Sequence, residues 1–259
     1  MTGEPHLSKL SVVVPARNEA HCIASMVEHL YLELKLNHVP HEIVVVNDGS
    51  TDLTKKVLSG IREDVPTLRV LDNHGSNGFA YAVIYGLDRI QGDAAVIMMA
   101  DESDDCRDVV QYWYELSKGA DCVFGSRFIK GAGVIDYPWF KYFLNRLGNK
   151  FIQLMFGIKY NDVTNAFKAY RKSVLDGCRP FISRHFNFTV ELPLKAIVRG
   201  YRWTAIPITW RNRRSGLAKF RIQEIGGRYL FVILYVWLER FLCKSDYRMG
   251  KNESREEET

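Results

Sequence analysis

A three-layer α/β fold with a mostly parallel central sheet is what this sequence predicts, and three observations point to it. Short β-branched or apolar runs alternate with stretches of helical periodicity up to about residue 125. The connections between them are short. The polar strand ends Arg17-Asn18-Glu19, Asn47-Asp48, Asp101-Glu102 and Gly125-Ser126-Arg127 would all fall on one sheet edge. In open α/β sheets ligands bind outside the carboxyl ends of the strands, so that edge is the expected site.

The elements follow in order. Leu10 to Val14 is a buried-strand pattern stopped by Pro15. Ile23, Val27, Leu30 and Leu34 recur at helical spacing, with Asn18 expected as the N-cap. Glu42 to Val46 is a second strand, and Asn47-Asp48-Gly49-Ser50 is turn chemistry leading into a helix through Val57, Leu58 and Ile61. Leu68 to Leu71 is a third strand. Gly75-Ser76-Asn77-Gly78 reads as a plain turn before a helix from Phe79 to Ile90. Ala94 to Met99 is a fourth strand, followed by a helix through Val109, Val110, Trp113 and Leu116, and a strand from Asp121 to Phe124. The second half is less regular. An aromatic helix is expected over Pro138 to Phe156, a loop and strand over Asn161 to Tyr170, a helix over Phe188 to Val198 despite Pro193, a strand over Trp203 to Thr209, and a long helix over Ile222 to Leu242.

The totals set bounds. A chain of 259 residues can bury a substantial core in one large domain, and 47% apolar with 25% charged residues excludes general disorder. Five scattered cysteines without CxxC spacing argue against structural zinc and for reduced thiols in a cytosol. No apolar leader follows Met1, and no run reaches the ~18 apolar residues of a membrane span. The expected location is therefore cytoplasmic, with peripheral membrane contact. Walker A and GxGxxG patterns are absent, as are triad signatures. The seven histidines read as solvated.

The chemistry concentrates where the fourth strand ends. Asp101, Glu102, Asp104 and Asp105 place four carboxylates within five residues. Clustered carboxylates repel, and a hard divalent cation such as Mg²⁺ or Mn²⁺ relieves that repulsion through oxygen ligands. The bland alternative is a solvated acidic cap in which Asp104 or Asp105 merely N-caps the next helix. Asp48 has the same double reading: a turn former, or an acceptor for nucleobase or ribose donors.

Taken together, Val13-Val14-Pro15-Ala16-Arg17-Asn18-Glu19, Val45-Val46-Asn47-Asp48-Gly49-Ser50-Thr51-Asp52, the acidic strand end and Gly125-Ser126-Arg127-Phe128 resemble the ordered signature of family 2 glycosyltransferases with the GT-A fold. Asp162-Val163-Thr164-Asn165 to Arg171 and Pro207 to Lys219 resemble, more narrowly, the dolichyl- or polyprenyl-phosphate sugar (mannose) synthases. The resemblance implies a Rossmann-like α/β/α sandwich at 10–220, with a donor half at about 10–130 and an acceptor half at about 131–220. Residues 1–9 would be a tail, 221–245 an interfacial or packing helix, and 246–259 a charged disordered tail. It implies that Pro15, Arg17, Glu19, Asp48 and Asp101 bind the nucleotide-sugar. Asp101, Glu102 and Asp104 would hold the metal. Arg127, Arg213 and Lys219 would serve catalysis with Asp101 and Glu102, and Lys141, Arg213 and Lys219 would grip the acceptor phosphate. Glu191 falls on a helix where the family often carries an acid. The chain departs from the family's Asp-x-Asp, since Ala100-Asp101-Glu102 stands there. Ala218 replaces a usual serine and Asn165 a usual glycine.

The expected function is inverting transfer from GDP-mannose or a UDP-sugar to a polyprenyl or dolichyl phosphate at the cytoplasmic membrane face. The alternatives are transfer to a saccharide hydroxyl and a non-catalytic nucleotide-sugar-binding relative. Between Lys195 and Arg228 nine basic residues stand against one acid, Glu224, which favours a phosphate acceptor. Nucleic acid is not an expected partner, because no binding motif accompanies the charge. The stretch Tyr229 to Leu242 is apolar nearly all round but interrupted by Glu239-Arg240. It should pack on the core or on a second copy of the chain, or lie in a membrane interface.

Overall fold

The structure, a computed structural model, describes residues 7–212 and 222–242, with side chains of the last segment from 226 onward. Seven strands form the main sheet: β1 (Leu10–Ala16), β2 (His41–Asn47), β3 (Leu68–Asp72), β4 (Ala94–Ile97), β5 (Cys122–Ser126), β7 (Lys168–Arg171) and β8 (Trp203–Pro207). Their order is β3-β2-β1-β4-β7-β5-β8. All neighbours pair in parallel except β7, which runs antiparallel between β4 and β5. Two short strands, β6 (Gly133–Ile135) and β9 (Thr209–Arg211), form a parallel pair beside it.

Alternation along the strands splits the core in two. Val12, Val14, Val45 and Val96 face the helices α1 (Ile23–Leu36), α2 (Thr54–Gly60) and α4 (Cys106–Ser117). Val13, Val44, Val46, Ala95 and Ile97 face α3 (Phe79–Leu87), α5 (Trp139–Phe156), α6 (Lys172–Gly177), α7 (Phe188–Val198) and α8 (Ile222–Leu242). Strands with one apolar residue set per face are buried on both sides, which is why they read as unbroken apolar runs. Gly86 of α3 permits close packing here: a Cβ there would lie 2.6 Å from Val13 Cγ1.

One helix cap differs from expectation and one agrees with it. Asn18 does not cap α1. It takes a left-handed conformation (φ 59°), and its side chain accepts from Thr51 N at 2.8 Å, tying the β1 loop to the β2 loop. Cys22 occupies the N-cap position instead, with no side-chain cap bond. Asp105 does cap α4, accepting from Arg107 N at 3.0 Å.

The long apolar helix resolves its own polar interruption. Glu239 pairs at 2.7 Å with the buried Arg199, the C-cap of α7, and Arg240 donates at 2.7 Å to Phe156 O at the C-terminus of α5. Val232, Ile233 and Val236 pack on the core, while Leu230, Phe231, Leu234, Leu238, Phe241 and Leu242 remain exposed. The neighbouring α5 exposes Trp139, Phe143, Leu147, Phe151 and Leu154. Among the described residues no helix is long and apolar enough to cross a membrane.

The basic count over Lys195 to Arg228 loses three members to internal pairing. Lys195 is buried against Glu191 at 2.7 Å, Arg199 against Glu239, and Arg202 pairs with Asp121. The acids lie outside the counted window, so a local charge tally could not register them. The Glu191 carboxylate also accepts from Ile182 N and Ser183 N, which makes it an internal brace for that loop.

Candidate active site

Strands β1, β2, β4 and β5 run parallel to one another or within one sheet so that their carboxyl ends share an edge. There the chain brings together Pro15, Arg17, Glu19, Asp48, Asp101, Glu102, Asp104 and Arg127. Arg17 and Glu102 are exposed; Pro15, Glu19 and Asp101 are half-buried; Asp48, Asp104 and Arg127 are buried. Lys141 lies exposed on α5. Arg213 and Lys219 fall outside the described residues, immediately after Asn212.

Asp48 is held by two donors, Asn73 Nδ2 and Gly78 N, both at 2.7 Å. It therefore folds the Gly75-Ser76-Asn77-Gly78 segment back over the β2 end, a role the sequence did not expose. Gly78 makes this turn at φ 143°, a conformation that strongly favours glycine. Each carboxylate oxygen carries two acceptor positions, so Asp48 retains capacity for a ligand donor.

Beyond β4 the acidic loop turns sharply at Glu102, which adopts a left-handed φ of 57°. Ser103 N donates to Asp101 Oδ1 at 3.2 Å, and Met99 N donates to Asp104 Oδ2 at 3.0 Å. Burial pushes the Asp104 carboxyl up to about 7, and the nearby Asp101 adds to that. Burial likewise raises Asp108 to about 6; its carboxylate accepts from Thr209 N at 3.0 Å. The loop is braced from β9: Trp210 bridges Asp104, and Arg211 N donates to Ser103 O at 2.9 Å. A cleft of about 490 Å³ opens on the α1–α4 side of this loop, lined by His21, Cys22, His29, Asp101 to Arg107, Thr209, Arg211 and Asn212. Asp101, Glu102 and Asp104 carry only oxygen donors, the type a hard divalent cation takes, but among the described residues these three carboxylates are not drawn together into one ligand cluster.

The Asp104 shift has a measurable consequence. Its folded pKa lies above the 3.8 of an ordinary aspartate, so the folded state keeps a proton that the unfolded chain releases. The associated stability is complete below about pH 4 and is lost as pH rises through about 7. At about 1.4 kcal/mol per pKa unit, Asp104→Asn in EDTA should be more stable than wild type by a few kcal/mol at pH 8. The gap should close near pH 4 and narrow on adding Mn²⁺. Thermal unfolding at pH 4, 6 and 8 checks this, and an Asp104→Asn protein less stable than wild type at pH 8 would refute it.

Arg127 is not a loose cation. Its guanidinium forms a fork on the fully buried Asp162, Nε to Oδ2 at 2.8 Å and Nη2 to Oδ1 at 2.7 Å, and its backbone N donates to the same carboxylate at 3.0 Å. Phe128, Tyr137 and Trp210 rings surround it at 5.3 to 5.6 Å. The loop carrying Asp162 is held in turn by buried Lys168, whose Nζ donates to the carbonyls of Val163, Asn165 and Thr189. Burial draws Lys168 down to about 7. Asp162, Trp210 and Lys168 are site-organising residues that sequence reading missed. All three lie in the two stretches that carried the narrower family resemblance, which named no role for them.

Comparison with known proteins agrees with this architecture. The pattern of glycosyl transferase family 2 matches residues 11–178. A polyprenol monophosphomannose synthase of Mycolicibacterium smegmatis is 27% identical over 233 residues, covering 84% of this chain and 86% of that protein. A dolichol-phosphate mannosyltransferase of Pyrococcus furiosus is 26% identical over 221 residues, covering 84% of this chain and 60% of that protein. Among solved structures, glucosyl-3-phosphoglycerate synthase from Mycobacterium tuberculosis, in complex with Mn²⁺, UDP and glucosyl-3-phosphoglycerate, superposes with a TM-score of 0.66 at 18% identity. That match covers 90% of this chain and 79% of that one. At this identity the likeness is one of fold. The same protein bound to Mg²⁺ and UDP gives 0.64. With its acidic loop at the β4 end and a family pattern spanning most of the main sheet, the chain belongs to glycosyl transferase family 2, and it is a glycosyltransferase of the GT-A fold.

Proposed function

We propose that this glycosyltransferase moves a sugar from a nucleotide-sugar, GDP-mannose or a UDP-sugar, to a polyprenyl phosphate at a membrane surface, with inversion at the anomeric carbon. The observation that carries the reading is the pair of helices α5 and α8. They lie in contact on one face of the sheet and leave large apolar side chains exposed along both. Exposed basic residues, Lys141 and Lys150, stand on α5 beside that surface, as anionic headgroups require. The names of the two relatives support the lipid-phosphate acceptor.

In this reading residues 10–130 serve the donor and 131–220 the acceptor. Pro15, Arg17, Glu19 and Asp48 receive the nucleotide, with Asp48 accepting a base or ribose donor beside the segment it already holds. Asp101, Glu102 and Asp104 would hold Mg²⁺ or Mn²⁺, which neutralises the leaving diphosphate when bound. Arg127, fixed by Asp162, contributes a stationary positive field next to the acidic loop. Lys141, Arg213 and Lys219 grip the acceptor phosphate. An oxygen of that phosphate attacks the anomeric carbon as the bond to the diphosphate breaks. The acceptor is already ionised near neutral pH, so no strong general base is required.

The test is transfer from labelled nucleotide-sugars to vesicles carrying polyprenyl phosphate, with Mn²⁺ or Mg²⁺ and then EDTA. Label should enter the lipid fraction, and EDTA should abolish it. Label passing only to soluble saccharides would favour the hydroxyl-acceptor reading, and donor binding without turnover the non-catalytic one. For the membrane contact, burying a Phe or Leu is worth about 1.5–3 kcal/mol, so Phe143→Glu with Leu154→Glu should lower binding to anionic vesicles by at least about tenfold. Sedimentation at low salt reads this directly. A wild-type protein that stays wholly in the supernatant would remove the membrane contact.

A further inference from the structure

We infer that Glu19, His21 and Cys22 form a binding site for a borderline-soft transition-metal ion, of the Zn²⁺ or Co²⁺ class, separate from the carboxylates of the acidic loop. One ligand atom from each of these side chains lies within 4.8 Å of the others. Cys22 Sγ sits 3.5 Å from Glu19 Oε2 and 3.3 Å from Ala100 O. In a tetrahedral site with bonds of about 2.0–2.3 Å, ligand atoms stand about 3.5 Å apart, so a small rotation of the exposed His21 ring completes three ligands.

The backbone under these residues is already fixed. Cys22 N and Ile23 N both donate to Glu19 O, at 3.1 and 3.0 Å. Glu19 N donates to Thr54 Oγ1 at 2.9 Å, and Ala20 N to Asp52 Oδ2 at 3.1 Å. A backbone pinned from both sides leaves only side-chain ordering, mainly of the exposed His21, to accompany binding. The donor types decide the class of ion. A thiolate and an imidazole select against Mg²⁺ and Mn²⁺, whereas Asp101 and Glu102, across the turn, offer oxygen alone. His21 and Cys22 also line the cleft beside the acidic loop, so an ion can reach them from solvent. On binding, the thiol releases its proton to water and sulfur bonds the metal as thiolate; no oxidation state changes.

Occupancy would draw the Glu19 carboxylate onto the metal. That consequence, inhibition of donor use, rests on the nucleotide-binding reading of Glu19; the metal binding itself does not.

Co²⁺ titration of the purified full chain, followed by absorption, tests the site without any turnover. The wild type should develop a near-ultraviolet thiolate-to-cobalt charge-transfer band that saturates at one equivalent and bleaches when Zn²⁺ is added. Cys22→Ser should lose the band, and His21→Ala should weaken Co²⁺ binding at least about tenfold, the scale already reached on losing a residue that only supports a ligand. Asp101→Ala should keep the band. A wild type without a thiolate band, or a band that persists in Cys22→Ser, would overturn the proposal. Zn²⁺ inhibition that His21→Ala relieves would add the functional link. A thiolate band without such inhibition would leave the site in place and sink only the role given to Glu19.

Discussion

Replacing Asp162 by alanine is expected to destabilise the protein by about 3–5 kcal/mol, the cost of leaving a buried guanidinium without its counter-ion. Arg127 is 8% exposed and Asp162 0%. Three hydrogen bonds join them. The loss should spread to the acidic loop. Arg127 lies under the Trp210 ring, and Trp210 bridges Asp104. Chemical denaturation measures the effect, and Asp162→Ala within about 1 kcal/mol of wild type would contradict it. Removing both charges, as Arg127→Met with Asp162→Leu, should recover much of the stability, because an apolar pair of similar volume often replaces a buried ion pair without loss. If that double variant is stable yet inactive, Arg127 acts on the reaction as well as on the fold.

Asp101→Ala and Glu102→Ala should each lower metal-dependent sugar transfer by at least about 10²-fold, the scale of removing one electrostatic contact at the reacting centre. Neither should unfold the protein, since Glu102 is exposed and Asp101 half-buried. Glu102→Asn is the better control for the fold, because asparagine tolerates the left-handed conformation at this position. Initial rates against Mn²⁺ concentration, with unfolding curves for each variant, separate the two effects. Folded variants that keep wild-type metal-dependent turnover would move the cation elsewhere on the sheet edge.

How much of this was legible beforehand depends on the range of the interactions involved. Strand and helix order follows from apolar period, which is local, so β1, β2, β4, α7 with its internal Pro193 and the long α8 fall where their residues place them. The shared sheet edge follows too, because alternating strands and helices with short connections force parallel pairing. Family membership rests on motifs that lie at those strand ends.

Residue type and spacing thus determine the layers, the edge where the chemistry collects and the family. Partnership across the chain is settled only in three dimensions. The insertion of antiparallel β7 between β4 and β5 joins segments 71 to 77 residues apart on one side and 44 to 48 on the other. Lys195, Arg199 and Arg202 count as free positive charge until Glu191, Glu239 and Asp121 are brought against them. Asp48 and Arg127 look like unoccupied ligand-binding groups in the sequence, yet Gly78, Asn73 and Asp162 engage both. The Glu239-Arg240 pair interrupts an apolar run in the sequence, and in the fold it fastens α8 to the end of α7 and to α5, leaving the apolar stripe outward. A charge in a sequence has no fixed meaning, because a buried ion is tolerable only beside a partner. That partner can lie four residues away or forty.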